Sequence, residues 1–497
     1  MRLRRSGCVA GLLGSVAVAL GAATSGAQAP SGSLVQLPGR AGCLRAAANV
    51  EGCLHAIAIG GGPVVASADG RSVYVAGQTS VAAFARGPSG ALRQLGARRG
   101  CVDYHLIVPE PRANASCAKG KLLWPTSAAL SRDGRDLYVA SWAFDPHGDR
   151  SDNYSDLAVF ARNRATGALR QLPGKQGCLG PSTRGGCAVG RALYGPESVV
   201  VSPDGRNVYT GASGGLAVFA RNGRSGALRQ LRGSAGCLLA PARAANCSHG
   251  GALRRLSPTV LAVSGDGRNV YALTSSDQRA AVIVFRRNRS GGALTRLAGR
   301  TGCIASPGLA ATAGCTAAPS LVGPWFCFSL AISPDGENLY LGSCGDLTVF
   351  SRDSATGGLR ELPSPDGCID ANGPPGRPCA GDTGTEPETG IALSPNGRSL
   401  YFVFDIGRST GGGRAQKGGV TVFSRNTANG ALTRLAASNG CITETGSRGS
   451  CTKARGLENA GRVAITPDGR NVYTSGFVGQ YCCRDGDVAV FRRVKPS

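Results

Sequence analysis

The chain has 497 residues, of which 42% are hydrophobic, so it can bury a substantial core. Its formal charge is +25, carried by 49 Arg and only six Lys, with no run of five to eight basic residues and no nucleic-acid reader motif, which argues against nucleic acid as a partner. The 76 Gly favour a fold with many tight turns, and the length fits either several ordinary domains or one large repeat architecture.

In chain order, residues 1–27 read as a secretory signal. Arg2, Arg4 and Arg5 are followed by the apolar stretch Val9 to Ala23 and by small residues before Gln28. No later segment is apolar for 18 residues, so no transmembrane span is expected. The expected product is a secreted, monomeric protein with one domain over residues 28–497. It begins with "SLVQL", residues 33–37, which resembles the end of a repeat with no beginning.

Seven copies of one unit then follow. Each has a short apolar run, a Ser/Thr-x-Asp/Asn-Gly turn and a second run carrying Val/Leu-Tyr, as in "VVVSPDGRNVYTGA". Asp-Gly and Asn-Gly supply the positive φ of a hairpin turn, so each copy predicts two antiparallel strands. The turn residues are Asp69, Asp133, Asp204, Asp266, Asp335, Asn396 and Asp468, spaced 61 to 72 residues apart. A third run ends in Phe84, Phe160, Phe219, Phe285, Phe350, Phe423 or Phe491. After six of these comes a fourth run of the type "GALRQL".

Four antiparallel strands in each of seven repeats predict an all-β fold, a seven-bladed β-propeller. The seventh unit lacks its fourth strand, and residues 33–37 supply it, closing the ring. The repeated Tyr and Phe are expected between blades. Arg93, Arg170, Arg229, Arg296, Arg360 and Arg434, on the fourth strands, are expected to protect each blade's outer edge on a solvated rim.

Eighteen cysteines follow Cys8, an even number in a chain read as exported. Each fourth strand leads into a loop with two of them, 9 to 16 residues apart, and pairing inside each loop is expected. The pairs are Cys43–Cys53, Cys101–Cys117, Cys178–Cys187, Cys237–Cys247, Cys303–Cys315, Cys368–Cys379 and Cys441–Cys451. Closing such a loop is worth about 2.5–3 kcal/mol if unstrained. Cys327 and Cys344 flank the fifth hairpin and can pair across it; adjacent Cys482 and Cys483 can form a vicinal bond or stay free. Zinc is disfavoured, because two ligands per loop do not make four.

In a propeller these loops share one face with the connections between second and third strands, and the hairpin turns occupy the other. Any ligand site is therefore expected on the disulfide-loop face. Asp145, His147, Asp149 and Asp152 are the residues a cation would use there, although their spacing is not a calcium-loop pattern. Glu197, Glu388 and Arg462 stand near first-strand starts and are the candidates for acid/base work at the channel mouth. No cofactor motif is present. The Ser of "SPDG" reads as a turn residue rather than a nucleophile.

"SPDGRNVYT" with "LAVFARN…TGALRQL" resembles the lactonase-like β-propeller family with YVTN-type repeats, over residues 32 to 493. The resemblance implies the same fold and, as an activity, the opening of lactones, with His, Arg and Glu at the channel mouth. No His of this chain matches, and Arg462, Glu197 and Glu388 match loosely. The first reading is an exported, non-catalytic binding scaffold for a protein, glycan or small molecule. The alternative is an extracytoplasmic lactonase-like hydrolase acting at the channel mouth.

Overall fold

A computed structural model describes residues 29–47, 52–104, 116–142, 156–183, 186–239, 246–249, 257–276, 279–321, 328–343, 346–370, 379–381, 388–404, 418–478 and 485–495. They form seven antiparallel-based sheets, one per repeat. Their first strands are Val64–Ala66, Pro125–Leu130, Pro196–Val201, Ser257–Val263, Phe328–Ile332, Glu388–Leu393 and Ala460–Ile465. Each packs on the next, and the seventh packs on the first, so they line a closed ring around a central channel. The fold is a seven-bladed β-propeller, with blades numbered here in that order.

Blade 3 shows how the sequence makes a blade. Pro196–Val201 pairs with Asn207–Ala212, which pairs with Gly215–Arg221, and Leu228–Gln230 covers the third strand. Gly205 takes φ +68° in the first turn, where a side chain would be strained. The Ser202 hydroxyl donates to Asp204 Oδ1 at 2.6 Å and accepts the Asn207 amide at 3.0 Å. It is therefore buried and occupied, a turn element and not a nucleophile.

Blade 7 takes its outer strand from the other end of the chain. Leu34–Gln36 pairs antiparallel with Phe491–Arg493, and Cys43–Arg45 continues along the same strand opposite Asp487–Ala489. The expected closure is present. The expected fourth strand is an edge, pairing with the third strand alone, but it covers only part of the edge. That position is split: "LRQ"-type residues pair with one half of the third strand, and after a short turn the loop cysteine starts a second segment pairing with the other half. In six blades a two- or three-residue strand then adds in parallel outside this segment, as Leu54–His55 does beside Leu44–Arg45.

The rim arginines also divide. Arg93, Arg170, Arg229 and Arg360 are exposed as expected. Arg296 and Arg434 are not, because they occupy the register of Gln94, one residue further along. That residue turns into the loop. Gln94 Nε2 donates to the Gly100 and Ile57 carbonyls; Arg296 Nε donates to the equivalent Gly302 carbonyl at 3.4 Å, and its Nη2 contacts Cys303 Sγ.

The core lies between blades. Tyr74, Tyr138, Tyr209, Tyr271, Tyr340, Tyr401 and Tyr473 are all fully buried, as are the seven repeat Phe. Each Tyr hydroxyl donates to a glycine carbonyl of the next blade, for example Tyr209 to Gly292 at 2.9 Å. Six of the seven hydroxyls also accept Nε of an arginine that ends the next blade's third strand: Arg162, Arg221, Arg287, Arg352, Arg425 or Arg493. Arg287 shows the whole clamp. Besides Tyr209 it reaches Asp204 Oδ2 at 2.8 Å, Asn207 Oδ1 at 2.6 Å and the Gly267 carbonyl at 3.2 Å. A repeated part of the positive charge is thus internal structure.

All seven loop disulfides are formed as expected. Cys327, Cys344, Cys482 and Cys483 lie outside the described residues. One short helix, Pro307–Ala313, fills the loop closed by Cys303–Cys315.

Candidate functional site at the channel mouth

On the disulfide-loop face the first strands begin with a bulge. In five blades one residue is skipped in the pairing with the second strand: Thr126, Glu197, Thr259, Thr389 and Gly461. A bulge re-aims the side chain it carries. Thr126 uses its hydroxyl to bridge blades, reaching the Ala140 carbonyl at 3.1 Å and the Pro196 carbonyl at 2.9 Å. Blade 3 puts a carboxylate at this register instead. Burial pushes the Glu197 carboxyl up to about 7, against the opposing pull of a hydrogen bond with Ser213. Such a group is divided between acid and carboxylate at neutral pH.

Aromatic rings gather beside it. Trp142 and Tyr194 are 42% and 50% exposed, in a fold whose other aromatics are mostly interior. The edge of the Trp142 ring lies against Gly195, where a β-carbon would come within 3.3 Å of Cδ1 and Nε1. The Trp142 amide donates to the Trp124 carbonyl at 3.1 Å. Trp124 itself has φ +50°. The same place, just ahead of the first strand, holds Gly195 in blade 3 and Asn459 in blade 7, both with positive φ. Gly and Asn tolerate this conformation, whereas a bulky ring there is strained.

The three residues expected from sequence are spread around the ring. Arg462 follows the bulge in blade 7, at the register where Ser127 and Ser198 accept backbone amides of the neighbouring first strand. Burial pushes its guanidinium below the usual value. Blades 1 and 2 separate it from Glu197 on one side and blades 4 to 6 on the other, so the two stand on opposite sides of the channel. Glu388 precedes the bulge of blade 6 and pairs with Phe404; its side chain lies outside the described residues. Of the four His, His55 and His249 are exposed on loops, and His105 and His147 are outside the described residues. A cavity of about 370 Å³ lies away from these residues, at the hairpin-turn ends of the first strands of blades 7, 1 and 2, lined mainly by apolar residues such as Val65, Leu130, Val463 and Ile465.

Asp145, His147, Asp149 and Asp152 also lie outside the described residues. Among the described residues one group has metal-like spacing: Asp156, Cys178 and Cys187, within 4.8 Å of one another. Its two sulfurs are bonded to each other, so neither is a thiolate ligand. Burial pushes the Asp156 carboxyl up to about 8, opposed by Lys121. Asp487, at the equivalent register of blade 7, is raised well above the usual carboxylate range by burial, opposed by Arg45.

Sequence reasoning found Glu197 but missed Trp124, Trp142 and Tyr194. It weighed titratable groups and repeated aromatics, whereas these three are aromatics that break the repeat. Their rarity is the signal: the chain has three Trp, and two of them frame the second hairpin.

No family model matches the chain, and no curated protein matches it in sequence. Solved structures do. A Bacteroides uniformis protein provisionally described as a 6-phosphogluconolactonase is 18% identical, with TM-score 0.45, covering 83% of this chain and 87% of its own. The Pseudomonas aeruginosa periplasmic gluconolactonase is 19% identical, with TM-score 0.48, covering 79% and 86%. A hydrazine synthase chain of Kuenenia stuttgartiensis is 14% identical, with TM-score 0.46, covering 88% and 97%. Likeness at this level transfers no activity.

Proposed function

We propose that this protein is an exported, non-catalytic binding propeller whose ligand is a glycan held on the disulfide-loop face between blades 2 and 3. The observation that carries this reading is the pairing of exposed rings Trp142 and Tyr194 with the bulge carboxyl Glu197 on one rim. Flat aromatic faces cover the apolar face of a sugar ring, and a carboxylate accepts from its hydroxyls. The seven disulfides fit an oxidising, extracytoplasmic compartment and stiffen the loops of that face. Residues 1–27 serve as the export signal in this reading.

A lactone hydrolase is the second reading, favoured by one observation. The Glu197 carboxyl near 7 suits general acid/base work at neutral pH. Against it, Arg462 stands across the channel from Glu197, and no described His joins either.

The test is a glycan array and a lactone hydrolysis screen on the purified protein, with W142A and E197Q alongside. Glycan binding lost in W142A, without lactone turnover, supports the first reading. Turnover abolished by E197Q overturns it in favour of the second. Neither binding nor turnover overturns the assignment of this rim as the site.

A further inference from the structure

The opposite face, built of hairpin turns, carries a ring of positive charge that the clamps do not use. Immediately after the turn Gly, six blades place an exposed arginine: Arg71, Arg135, Arg206, Arg268, Arg398 and Arg470. Blade 5 has Glu337 there. The neighbouring turns add exposed Arg132, Arg164, Arg224 and Arg289.

Apart from Glu337 and the exposed Asp353, both of blade 5, the turn carboxylates do not neutralise this ring. Asp69, Asp133, Asp204, Asp266 and Asp335 each form an ion pair with a clamp arginine, and Asp468 pairs with Arg86, the residue that ends the third strand of blade 1; these arginines lie at or near full burial. The acids are thus balanced from inside, and the outward arginines remain as net charge. Between blades 1 and 2 the ring encloses a depression of about 560 Å³, lined by Arg132, Arg135 and Arg164 with Asp69 and Asp133. Arg71 and Arg164 line a second depression beside it.

We infer that this face docks on an anionic lipid surface, the arginines binding phosphate headgroups. Guanidinium is suited to phosphate by its planar paired donors. The arrangement selects the partner's shape. A linear polyanion crosses one sector of a ring, whereas a plane of headgroups meets all six blades at once. Among the described residues none of the exposed large hydrophobics belongs to the turns, so the described turn face offers charge rather than rings for base stacking or side chains for acyl insertion. Attraction is then electrostatic, additive over arginines and screened by salt. Docked this way, the protein would present the disulfide-loop face outward. The inference does not depend on the glycan reading.

The test is flotation of the full chain with vesicles of phosphatidylcholine alone or mixed with phosphatidylglycerol, at low and high salt. A turn-face triple, R71E/R135E/R164E, is compared with a rim triple of equal charge change, R93E/R170E/R229E. Circular dichroism melts confirm that both remain folded. The expected result is binding to anionic vesicles only, lost at high salt. It should weaken at least about a hundredfold in the turn-face triple and much less in the rim triple. Equal loss in both triples, no binding to anionic vesicles, or tighter binding to duplex DNA than to them overturns the proposal.

Discussion

Tyr401 donates its hydroxyl to the carbonyl of Gly32 at 2.8 Å, joining residues 369 positions apart in sequence. Arg493 donates Nε to the same hydroxyl at 2.7 Å. This is the clamp found between other blades, assembled from both ends of the described chain. Closing the ring this way leaves no open edge between its first and last blades. Removing residues 28–37, which spares Cys43, should therefore lower the melting temperature of the whole ring. A loss of several kcal/mol is expected from the absent strand and the exposed clamp. Unchanged melting by calorimetry would refute the closure argument.

The clamp arginine is the most sensitive residue of each blade interface. In Arg287→Ala the Tyr209 hydroxyl, Asn207 and Asp204 lose their shared donor inside the protein. About 3–5 kcal/mol should go, read from urea unfolding. Tyr209→Phe removes one hydroxyl and should cost about 1–2 kcal/mol. Arg93→Ala on the rim should be within about 0.5 kcal/mol of the parent.

Glycines in the turns differ in what they tolerate. Gly292 has φ +85°, and a β-carbon there would strike the Asn207 amide that anchors the neighbouring clamp. Gly292→Ala should cost about 1–3 kcal/mol. Gly223 has no such φ and no atom within 4 Å of a β-carbon, so Gly223→Ala should be neutral or slightly stabilising. Equal effects in the two variants would contradict the role given to the close approach.

Stability should fall as pH rises from acid to neutral. Asp156 is raised from 3.8 to about 8, and Asp487 is raised well above 3.8. In the window between the ordinary and the raised value the folded state holds more protons than the unfolded one. Their stabilising contribution is thus complete below about pH 4 and lost as pH rises through the raised values, for Asp156 on the way to about pH 8, at a slope of up to about 1.4 kcal/mol per unit per group. The turn carboxylates act in the opposite sense. Burial raises Asp204, but hydrogen bonds from Ser202, the Arg206 amide and Arg287 outweigh it, holding it below 3.8. Their contribution is present above the ordinary value and disappears as pH falls below it. Thermal melts from pH 3 to 9 should peak on the acid side of neutral, and Asp156→Asn should flatten the alkaline limb. A peak at pH 8 or above would rule this account out.

Much of the scaffold was legible because each repeat carries its own instructions. Asp204 and Gly205 specify a turn, Tyr209 and Phe219 specify the buried sides, and the orphan "SLVQL" specifies the closure. The loop disulfides were legible because each pair is near in sequence. The clamp was not, because Arg287 and Tyr209 are 78 residues apart and meet only when blades pack. Arg296 was misplaced for a related reason. A one-residue difference between "ALTRL" and "ALRQL" moves the arginine from the rim to the inward Gln register, and composition does not reveal register.

For the candidate site the sequence supplied Glu197 and the face, and nothing about its company. Trp124 and Trp142 meet across the first hairpin of blade 2, and only the packing of blade 3 on blade 2 brings Tyr194 and Glu197 to the same rim. Local patterns determined the number of blades and their turns, because those depend on neighbours along the chain, and the closure was legible because the repeat lacked one strand at one end and had it spare at the other. Which arginines are buried clamps and which face outward, and which carboxyl sits beside exposed rings, was decided by the tertiary structure. Burial and charge balance are properties of the assembled ring, where distant residues desolvate and neutralise one another.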